Sequence, residues 1–143
     1  MGHAIRWPGH GQAAYRTPVP LRPGLSATVD HVVGEEDSAI AMHSGDVPVL
    51  ATPRVIALCE EASVRAVKGE LEPGETTVGM RIQVDHVAPT KVGSAVRADA
   101  TLEKVEGRRL TFSVAVTDGA GLVAAGKVTR VVVVVDRFLE KAR

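Results

Sequence analysis

One long helix is predicted by the stretch TPRVIALCEEASVRAVK, residues 52–68. Thr52 is a suitable N-cap, and Pro53 suits the first helical position because the N–H that it lacks would be unpaired there anyway. Small and apolar side chains recur at helical spacing and predict the face that packs on the core. They are Val55, Leu58, Cys59, Ala62 and Ala66. We expect the helix to run from Pro53 to about Lys68.

Two adjacent glutamates of this helix have different surroundings. At about 100° per residue, Glu61 lies beside Arg65, with which it is expected to form an i,i+4 ion pair. Glu60 points the other way and lies near Ile56 and Val64. A carboxylate on an apolar flank is costly unless the protein uses it. Glu60 is therefore the candidate functional residue of the helix.

The next predicted strand ends in a histidine. Residues 77–86, TVGMRIQVDH, alternate between apolar and polar side chains as a strand does. One face carries Met80, Ile82, Val84 and His86. His86 is either a hydrogen-bonded core histidine or a catalytic group directed at the helix, and the carboxylate of Glu60 favours the second interpretation.

The other strands are predicted from alternation and turn residues. One strand, 25–33, precedes the helix, and those after residue 86 are 95–105, 108–118 and 122–135. Glycines at the junctions near residues 107 and 119 predict antiparallel hairpins. With the strand ending at His86 they form a four-strand meander, whose apolar face only the helix is able to cover. The predicted fold class is α+β.

The composition limits the function classes. A chain of 143 residues with formal net charge zero predicts one core and no attraction to nucleic acid. The longest apolar run, Val131–Val135, is far too short to span a membrane and predicts a central strand or a subunit contact. A single cysteine and the lack of an apolar N-terminal segment predict a cytoplasmic protein with no membrane partner.

Residues 1–23 are predicted to form an extended N-terminal arm, and residues 24–143 the folded domain. The arm is rich in proline and glycine, and its Trp7 and Tyr15 suggest packing against a partner subunit, although a flexible tail is an equal alternative. His3 and His10 are not accompanied by a cysteine or carboxylate cluster. We therefore expect no metal site.

Two further groups have simple structural explanations. Cys59 is a nucleophile candidate with His86 as its base, but its place in the apolar stripe favours a small buried side chain. The basic residues of the strands and turns are interpreted as ordinary surface charges, one or two of which are able to bind coenzyme A phosphates. They are Lys91, Arg97, Lys104, Arg108, Arg109 and Arg130.

Several of these residues occur together in a pattern that resembles the hot-dog thioesterases related to fluoroacetyl-CoA thioesterase. The matching residues are Leu50-Ala-Thr52, Glu60, Arg65-Ala66, Leu71-Glu-Pro-Gly-Glu75, Gly79, His86 and Val105-Glu-Gly-Arg-Arg-Leu110. Their order and spacing match over roughly residues 22–141. The resemblance implies a hot-dog fold, in which an antiparallel sheet wraps around one long central helix.

The resemblance also implies a catalytic site. The catalytic threonine, glutamate and histidine correspond to Thr52, Glu60 and His86, and a backbone N–H near Gly79 is placed to hold the thioester carbonyl. The substrate would be an acyl-CoA or a related small acyl thioester, with coenzyme A present only as part of that substrate and no separate cofactor. One feature departs from the family, because the loop His43–Val47 has no aromatic lid residue.

We therefore expect an acyl thioesterase in which Glu60 is the base or the nucleophile, Thr52 its polar partner and His86 the proton-transfer group. The alternative is a non-catalytic hot-dog domain that binds an acyl thioester or hydrophobic acyl ligand, and a dehydratase of enoyl thioesters is a weaker candidate. The second apolar flank of the helix and the run Val131–Val135 predict a homodimer or a dimer of dimers, with active sites at the subunit contact.

Overall fold

The computed structural model describes residues 21–143, in which a five-stranded antiparallel sheet packs on one long helix. The predicted arm and its residues His3, His10, Trp7 and Tyr15 thus lie outside the described residues, apart from the last three positions of the arm. The strands are β1 (Ser26–Val32), β2 (Glu75–His86), β3 (Ala95–Glu106), β4 (Arg109–Asp118) and β5 (Gly121–Val134). The helices are α1 (Thr52–Val67) and the short α2 (Val135–Glu140).

Helix α1 starts one residue earlier than its sequence predicts. Ala51 is the N-cap and Thr52 is the first helical residue, so the prediction of Thr52 as the N-cap is wrong. The reason is that the Thr52 hydroxyl forms a hydrogen bond with the side chain of His86, and no side chain caps the helix. The predicted core face is correct, since all five of its members are buried: Val55, Leu58, Cys59, Ala62 and Ala66.

The sheet order is β1-β3-β4-β5-β2, which corrects the predicted four-strand meander. Strands β3, β4 and β5 do form successive hairpins, but β2 pairs with β5 and lies at the edge of the sheet. Tight turns force only adjacent strands to pair, whereas the connection over residues 87–94 is long enough to lead from β2 to a strand that is not its neighbour.

The valine-rich end of β5 lies inside the sheet, as predicted. Strand β5 has β4 on one side and β2 on the other, and Val132 is buried. The last valine, Val135, already belongs to α2. Within residues 21–143, no helix is long and apolar enough to span a membrane.

The pairing of β2 with β5 is interrupted by a bulge between Gly79 and Arg81. Met80 therefore has no partner in β5 and is exposed, which corrects its predicted place on the apolar face. A bulge shifts the side chains on either side of it, so simple alternation fails at this point. Beyond the bulge, Ile82 and Val84 pack against the core as the alternation predicts.

Candidate active site

A hydroxyl and an imidazole meet where the start of α1 faces the end of β2. The Oγ1 atom of Thr52 and the Nδ1 atom of His86 are 2.8 Å apart and share a hydrogen bond whose donor depends on the imidazole tautomer. The other ring nitrogen of His86, Nε2, is buried and has no hydrogen-bond partner among the described residues. Buried polar atoms are rarely left unpaired in proteins, so this nitrogen is a candidate for a functional contact.

The carboxylate of Glu60 is held by an arginine that lies under it. The Nη1 group of Arg130 donates to Oε2 of Glu60 at 2.8 Å. Arg130 also donates from Nε to the Thr77 hydroxyl at 2.9 Å and from Nη2 to the Thr77 carbonyl at 2.8 Å. Its side chain is 8% exposed against 34% for Glu60, so the buried member of the pair is the arginine.

Burial lowers the pKa of the Arg130 guanidinium below its ordinary value, and the nearby Glu60 carboxylate opposes this change. Arginine titrates so far above neutrality that it stays charged in proteins. Arg130 therefore supplies a permanent positive charge to one carboxylate oxygen of Glu60. The sequence interpretation of Arg130 as an ordinary surface charge is wrong, because alternation in the strand gave no sign that this side chain turns inward to Glu60.

Gly79 makes room for the Glu60 carboxylate. A Cβ atom at position 79 would lie 2.5 Å from Oε2 of Glu60, which is closer than non-bonded atoms approach. Gly79 is paired with Arg130 across the sheet and is exposed, so the carboxylate, the guanidinium and this piece of backbone form one cluster. The glycine is thus needed for the position of Glu60 itself.

Within one chain the predicted residues form two clusters. Glu60 follows Thr52 by eight residues, which is about 12 Å along a helix axis. Gly79 precedes His86 by seven residues, which is about 23 Å along an extended strand. The structure joins Thr52 to His86 and Glu60 to Arg130 and Gly79, and among the described residues no hydrogen bond connects the two clusters.

Cys59 has no features of a nucleophile. It is fully buried in the core. Burial raises the pKa of its thiol to about 11, with a smaller contribution from the adjacent Glu60 carboxylate. The thiolate, which is the reactive form, is therefore scarce at neutral pH. Over the part of the chain that the structure covers, no group of histidine, cysteine and carboxylate side chains is arranged to hold a metal ion.

The loop between β1 and α1 presents aliphatic side chains. Ile40 and Val47 are about half exposed, and Met42 is exposed to a lesser degree. His43 has a φ of 57°, in the left-handed region that residues other than glycine seldom adopt. Residues 43–47 include no phenylalanine, tyrosine or tryptophan.

An antiparallel sheet wrapped around one long helix, with a carboxylate on the flank of that helix, defines a hot-dog protein of the thioesterase class. A structure of the fluoroacetyl-CoA thioesterase FlK superposes with a TM-score of 0.83 and 34% sequence identity, covering 87% of this chain and 97% of FlK. A thioesterase superfamily member from Thermus thermophilus gives 0.78 and 27%, covering 85% and 93%. The predicted fold class is confirmed.

The chain belongs to the fluoroacetyl-CoA-specific thioesterase family, whose model matches residues 33–136. A fluoroacetyl-CoA thioesterase from Streptantibioticus cattleyicolor is 41% identical over 95 residues, which are 66% of this chain and 68% of that enzyme. A mutant of FlK solved with fluoroacetate and CoA is 35% identical, with a TM-score of 0.77 over 82% of this chain and 99% of the mutant. The resemblance seen in the sequence is confirmed, and the protein is a thioester hydrolase.

Proposed function

We propose that this protein hydrolyses the thioester of an acyl-CoA or a related small acyl thioester, using Thr52, Glu60 and His86. The observation that carries the proposal is the Glu60 carboxylate fixed by the buried Arg130 against the backbone of Gly79. Fixing one oxygen of the carboxylate leaves Oε1 for the reaction. The relative solved with fluoroacetate and CoA supports a substrate of the acyl-CoA kind.

In this mechanism Glu60 acts on the carbonyl carbon in one of two ways. As a base, it removes a proton from water while the water oxygen bonds to the carbonyl carbon; as a nucleophile, its own oxygen forms that bond and water later hydrolyses the anhydride. Either route passes through a tetrahedral oxyanion, which a backbone N–H near Gly79 stabilises. The C–S bond then breaks and the electron pair leaves on the sulfur of coenzyme A.

In this mechanism the Thr52–His86 pair carries out proton transfer. The imidazole of His86 delivers a proton to the departing sulfur or to the tetrahedral intermediate, and the Thr52 hydroxyl fixes the orientation of the ring through Nδ1. The products are a carboxylate, the free thiol of coenzyme A and one proton. The reaction requires no cofactor besides the coenzyme A carried by the substrate, and the single buried thiol of Cys59 agrees with a cytoplasmic location.

We further propose a homodimer in which each site is built from two chains. Among residues 21–143, β2 pairs with β5 alone, so within this part of the chain its other edge carries unpaired backbone groups. Antiparallel pairing of β2 with its copy about a twofold axis at Gln83 sets Gln83 opposite its own copy and brings Gly79 close to His86 of the partner subunit. This register unites the Glu60 cluster of one chain with the threonine–histidine pair of the other.

Steady-state hydrolysis of a panel of acyl-CoA thioesters tests the proposed reaction, with release of the free thiol as the signal. Glu60→Gln keeps the shape of the side chain and removes its basic oxygen, and His86→Ala removes the imidazole. Each is expected to lower kcat at least about a hundredfold, the usual effect of a lost general acid or base. Glu61→Gln is the matched control, because Glu61 pairs with Arg65 on the exposed side of the helix.

An unchanged kcat for Glu60→Gln, or no turnover of any thioester by the wild-type protein, would contradict the proposed reaction. Acyl-CoA binding without turnover would instead support the non-catalytic binding domain. If Glu61→Gln were the more damaging change, the two glutamates would have exchanged the roles assigned to them here.

A further inference from the structure

A buried carboxylate outside the proposed site lies beside the first turn of α1. Asp37 belongs to the 3-10 turn Glu35–Asp37 and is 4% exposed. Its Oδ2 atom accepts hydrogen bonds from Nε2 of His31 at 2.7 Å and from the N–H of Gly34 at 2.8 Å. Its Oδ1 atom accepts a hydrogen bond from Nε of Arg54 at 2.8 Å. These three donors compensate for the loss of water around the carboxylate.

The carboxylate of Asp37 supplies a negative charge that the first turn of α1 lacks. The first turn of α1 contains no acidic residue and has the cation Arg54, which the positive end of a helix dipole disfavours. Burial raises the pKa of Asp37, but the hydrogen bonds from Gly34, His31 and Arg54 outweigh it and hold the pKa below the ordinary value of 3.8. Asp37 thus supplies the missing negative charge through space.

The contacts of Asp37 lie on both sides of Thr52. Its backbone carbonyl accepts the N–H of Ala51 at 2.9 Å, and its carboxylate binds Arg54. Through His31, a β1 residue, the same carboxylate is joined to the sheet. Asp37 therefore holds the chain by hydrogen bonds at Ala51, immediately before Thr52, and at Arg54, two residues after it. Helix α1 has no side-chain cap of its own.

These hydrogen bonds restrict the position of the Thr52 hydroxyl. The hydrogen bond to Nδ1 of His86 is 2.8 Å long, and it weakens steeply when the distance or angle changes. An uncapped first turn is the part of a helix that frays most readily. A shift of this turn would separate Thr52 from His86 without moving Glu60, which lies two turns further along.

We propose that Asp37 is a positioning residue which, through Ala51 and Arg54, holds Thr52 in register with His86. This inference rests on the proposed function, since the role of the threonine–histidine pair in hydrolysis is itself proposed. Asp37 makes no contact with the reacting atoms and acts only through the position of the first helical turn.

The test compares Arg54→Met with Arg65→Met in the full-length protein. Both changes remove an arginine of α1 that pairs with a carboxylate, but Arg65 pairs with the exposed Glu61 three turns away from Thr52. We expect Arg54→Met to lower kcat on an acyl-CoA about tenfold, because small misplacements of a reacting group cost this much or more, with KM changed less than about twofold. Arg65→Met is expected to leave both constants unchanged, and Arg54→Lys to restore part of kcat.

Nitrogen NMR of the histidine side chains provides a readout that does not depend on turnover. The Nδ1 resonance of His86 should move in Arg54→Met and stay in place in Arg65→Met, with the same shift in Asp37→Asn if that variant folds. A variant Arg54→Met that is less stable but has unchanged kcat and an unchanged His86 resonance would overturn the proposal. If the wild-type protein hydrolyses no thioester, the proposed function fails while the NMR comparison still decides the positioning role.

Discussion

The almost fully buried side chain of Arg130 places a positive charge beside the partly exposed carboxylate of Glu60. The guanidinium has three hydrogen bonds, two of them to Thr77 and one to Glu60. The two bonds to Thr77 hold the planar guanidinium in place, so its third donor meets the Glu60 carboxylate from a fixed direction, which an ammonium group does not ensure equally well. The orientation of Glu60 should therefore depend on the arginine fork as well as on its charge.

Arg130→Met tests this dependence. The change leaves the Thr77 carbonyl and the Glu60 carboxylate without their donor, so we expect the free energy of unfolding to fall by about 1–3 kcal/mol and kcat to fall at least about tenfold. Arg130→Lys should be intermediate in kcat. Arg97→Met is the control, because Arg97 pairs with Asp30 at the surface. Equal effects of the Arg97 and Arg130 changes on urea unfolding and kcat would contradict this role.

A second prediction at this scale concerns Asp37 and pH. Because its native pKa lies below the ordinary value of 3.8, ionised Asp37 stabilises the native state above pH 3.8. As the pH falls below that value, the unfolded chain takes up the proton first and the stabilisation is lost. The part of the difference in unfolding free energy between wild type and Asp37→Asn that comes from the ionised carboxylate should persist down to about pH 4 and shrink below it.

Urea unfolding of both proteins from pH 7 to pH 3 measures this difference. His31 and Arg54 are the charged or titratable side chains in contact with the carboxylate. Asp46→Asn is the comparison, because Asp46 is exposed and its carboxylate has no hydrogen bond or ion pair among the described residues. A gap between wild type and Asp37→Asn that stays constant down to pH 3 would show that the carboxylate is not stabilised in the native state.

At the scale of elements, the edge strand β2 depends on a glycine of β5. A Cβ atom at position 126 would lie 2.0 Å from the backbone oxygen of Gln83 and 2.7 Å from Cα of Val84. The obstacle is backbone, so no side-chain rotation relieves it. We expect Gly126→Ala to push β2 away from β5 and to lower the free energy of unfolding by about 1–3 kcal/mol, the usual cost of overpacking.

Gly119→Ala is the matched control for this change, since nothing lies within 4 Å of a Cβ atom at that position. Strand β2 carries both Gly79 and His86, so Gly126→Ala should also lower kcat in protein shown to be folded. Equal unfolding curves for the two alanine variants would mean that β2 adjusts without cost.

The loop between β1 and α1 carries a prediction about substrate choice. A tenfold preference between two thioesters requires a difference of about 1.4 kcal/mol between their transition states. Residues 43–47 include no phenylalanine, tyrosine or tryptophan, and the exposed large apolar side chains of this loop are those of Ile40, Met42 and Val47. We expect no strong preference for fluoroacetyl-CoA over acetyl-CoA. Paired kcat/KM values measure this, and a fluoroacetyl preference above about a hundredfold would place the discrimination elsewhere in the protein.

At the scale of the whole molecule, the shared-site dimer predicts complementation between two inactive variants. Glu60→Gln and His86→Ala each disable both sites of their own homodimer. In a mixed dimer one site receives both defects, whereas the other receives wild-type Glu60 and a wild-type His86 from different chains. Equal amounts of the two, exchanged freely, should regain about a quarter of wild-type kcat, since half of the dimers are mixed and each has one intact site.

Activity of the mixed sample no higher than that of its components would contradict sharing of the site between chains. Sedimentation of the wild-type protein at micromolar concentration provides the companion measurement, and a monomer would contradict the dimer itself. The control is a mixed sample of Glu61→Gln and His86→Ala. The Glu61→Gln protein is already active before mixing, so the activity of this sample does not depend on complementation.

The sequence by itself determined the features that depend on neighbouring residues. The buried face of α1 follows from the spacing of Val55, Leu58 and Ala62, and the hairpins of β3, β4 and β5 follow from short glycine turns. The i,i+4 pair of Glu61 with Arg65 was predicted and is present. Residue spacing also identified Glu60 as unusual, and the matching residues identified the family. In each case the cause lies within a few positions of the chain or in a pattern that relatives share.

Only the tertiary structure decided which distant groups meet. Arg130 is 70 residues from Glu60, and Asp37 is 17 residues from Arg54. Alternation indicates the face on which a strand side chain lies, but it does not specify the strand beside it or the helix residue above it. The edge position of β2 has the same origin. So does the hydrogen bond between Thr52 and His86, which replaces the predicted role of Thr52 as N-cap. Each is fixed by packing of the whole chain, because contacts between remote segments depend on how all the elements bury their apolar faces together.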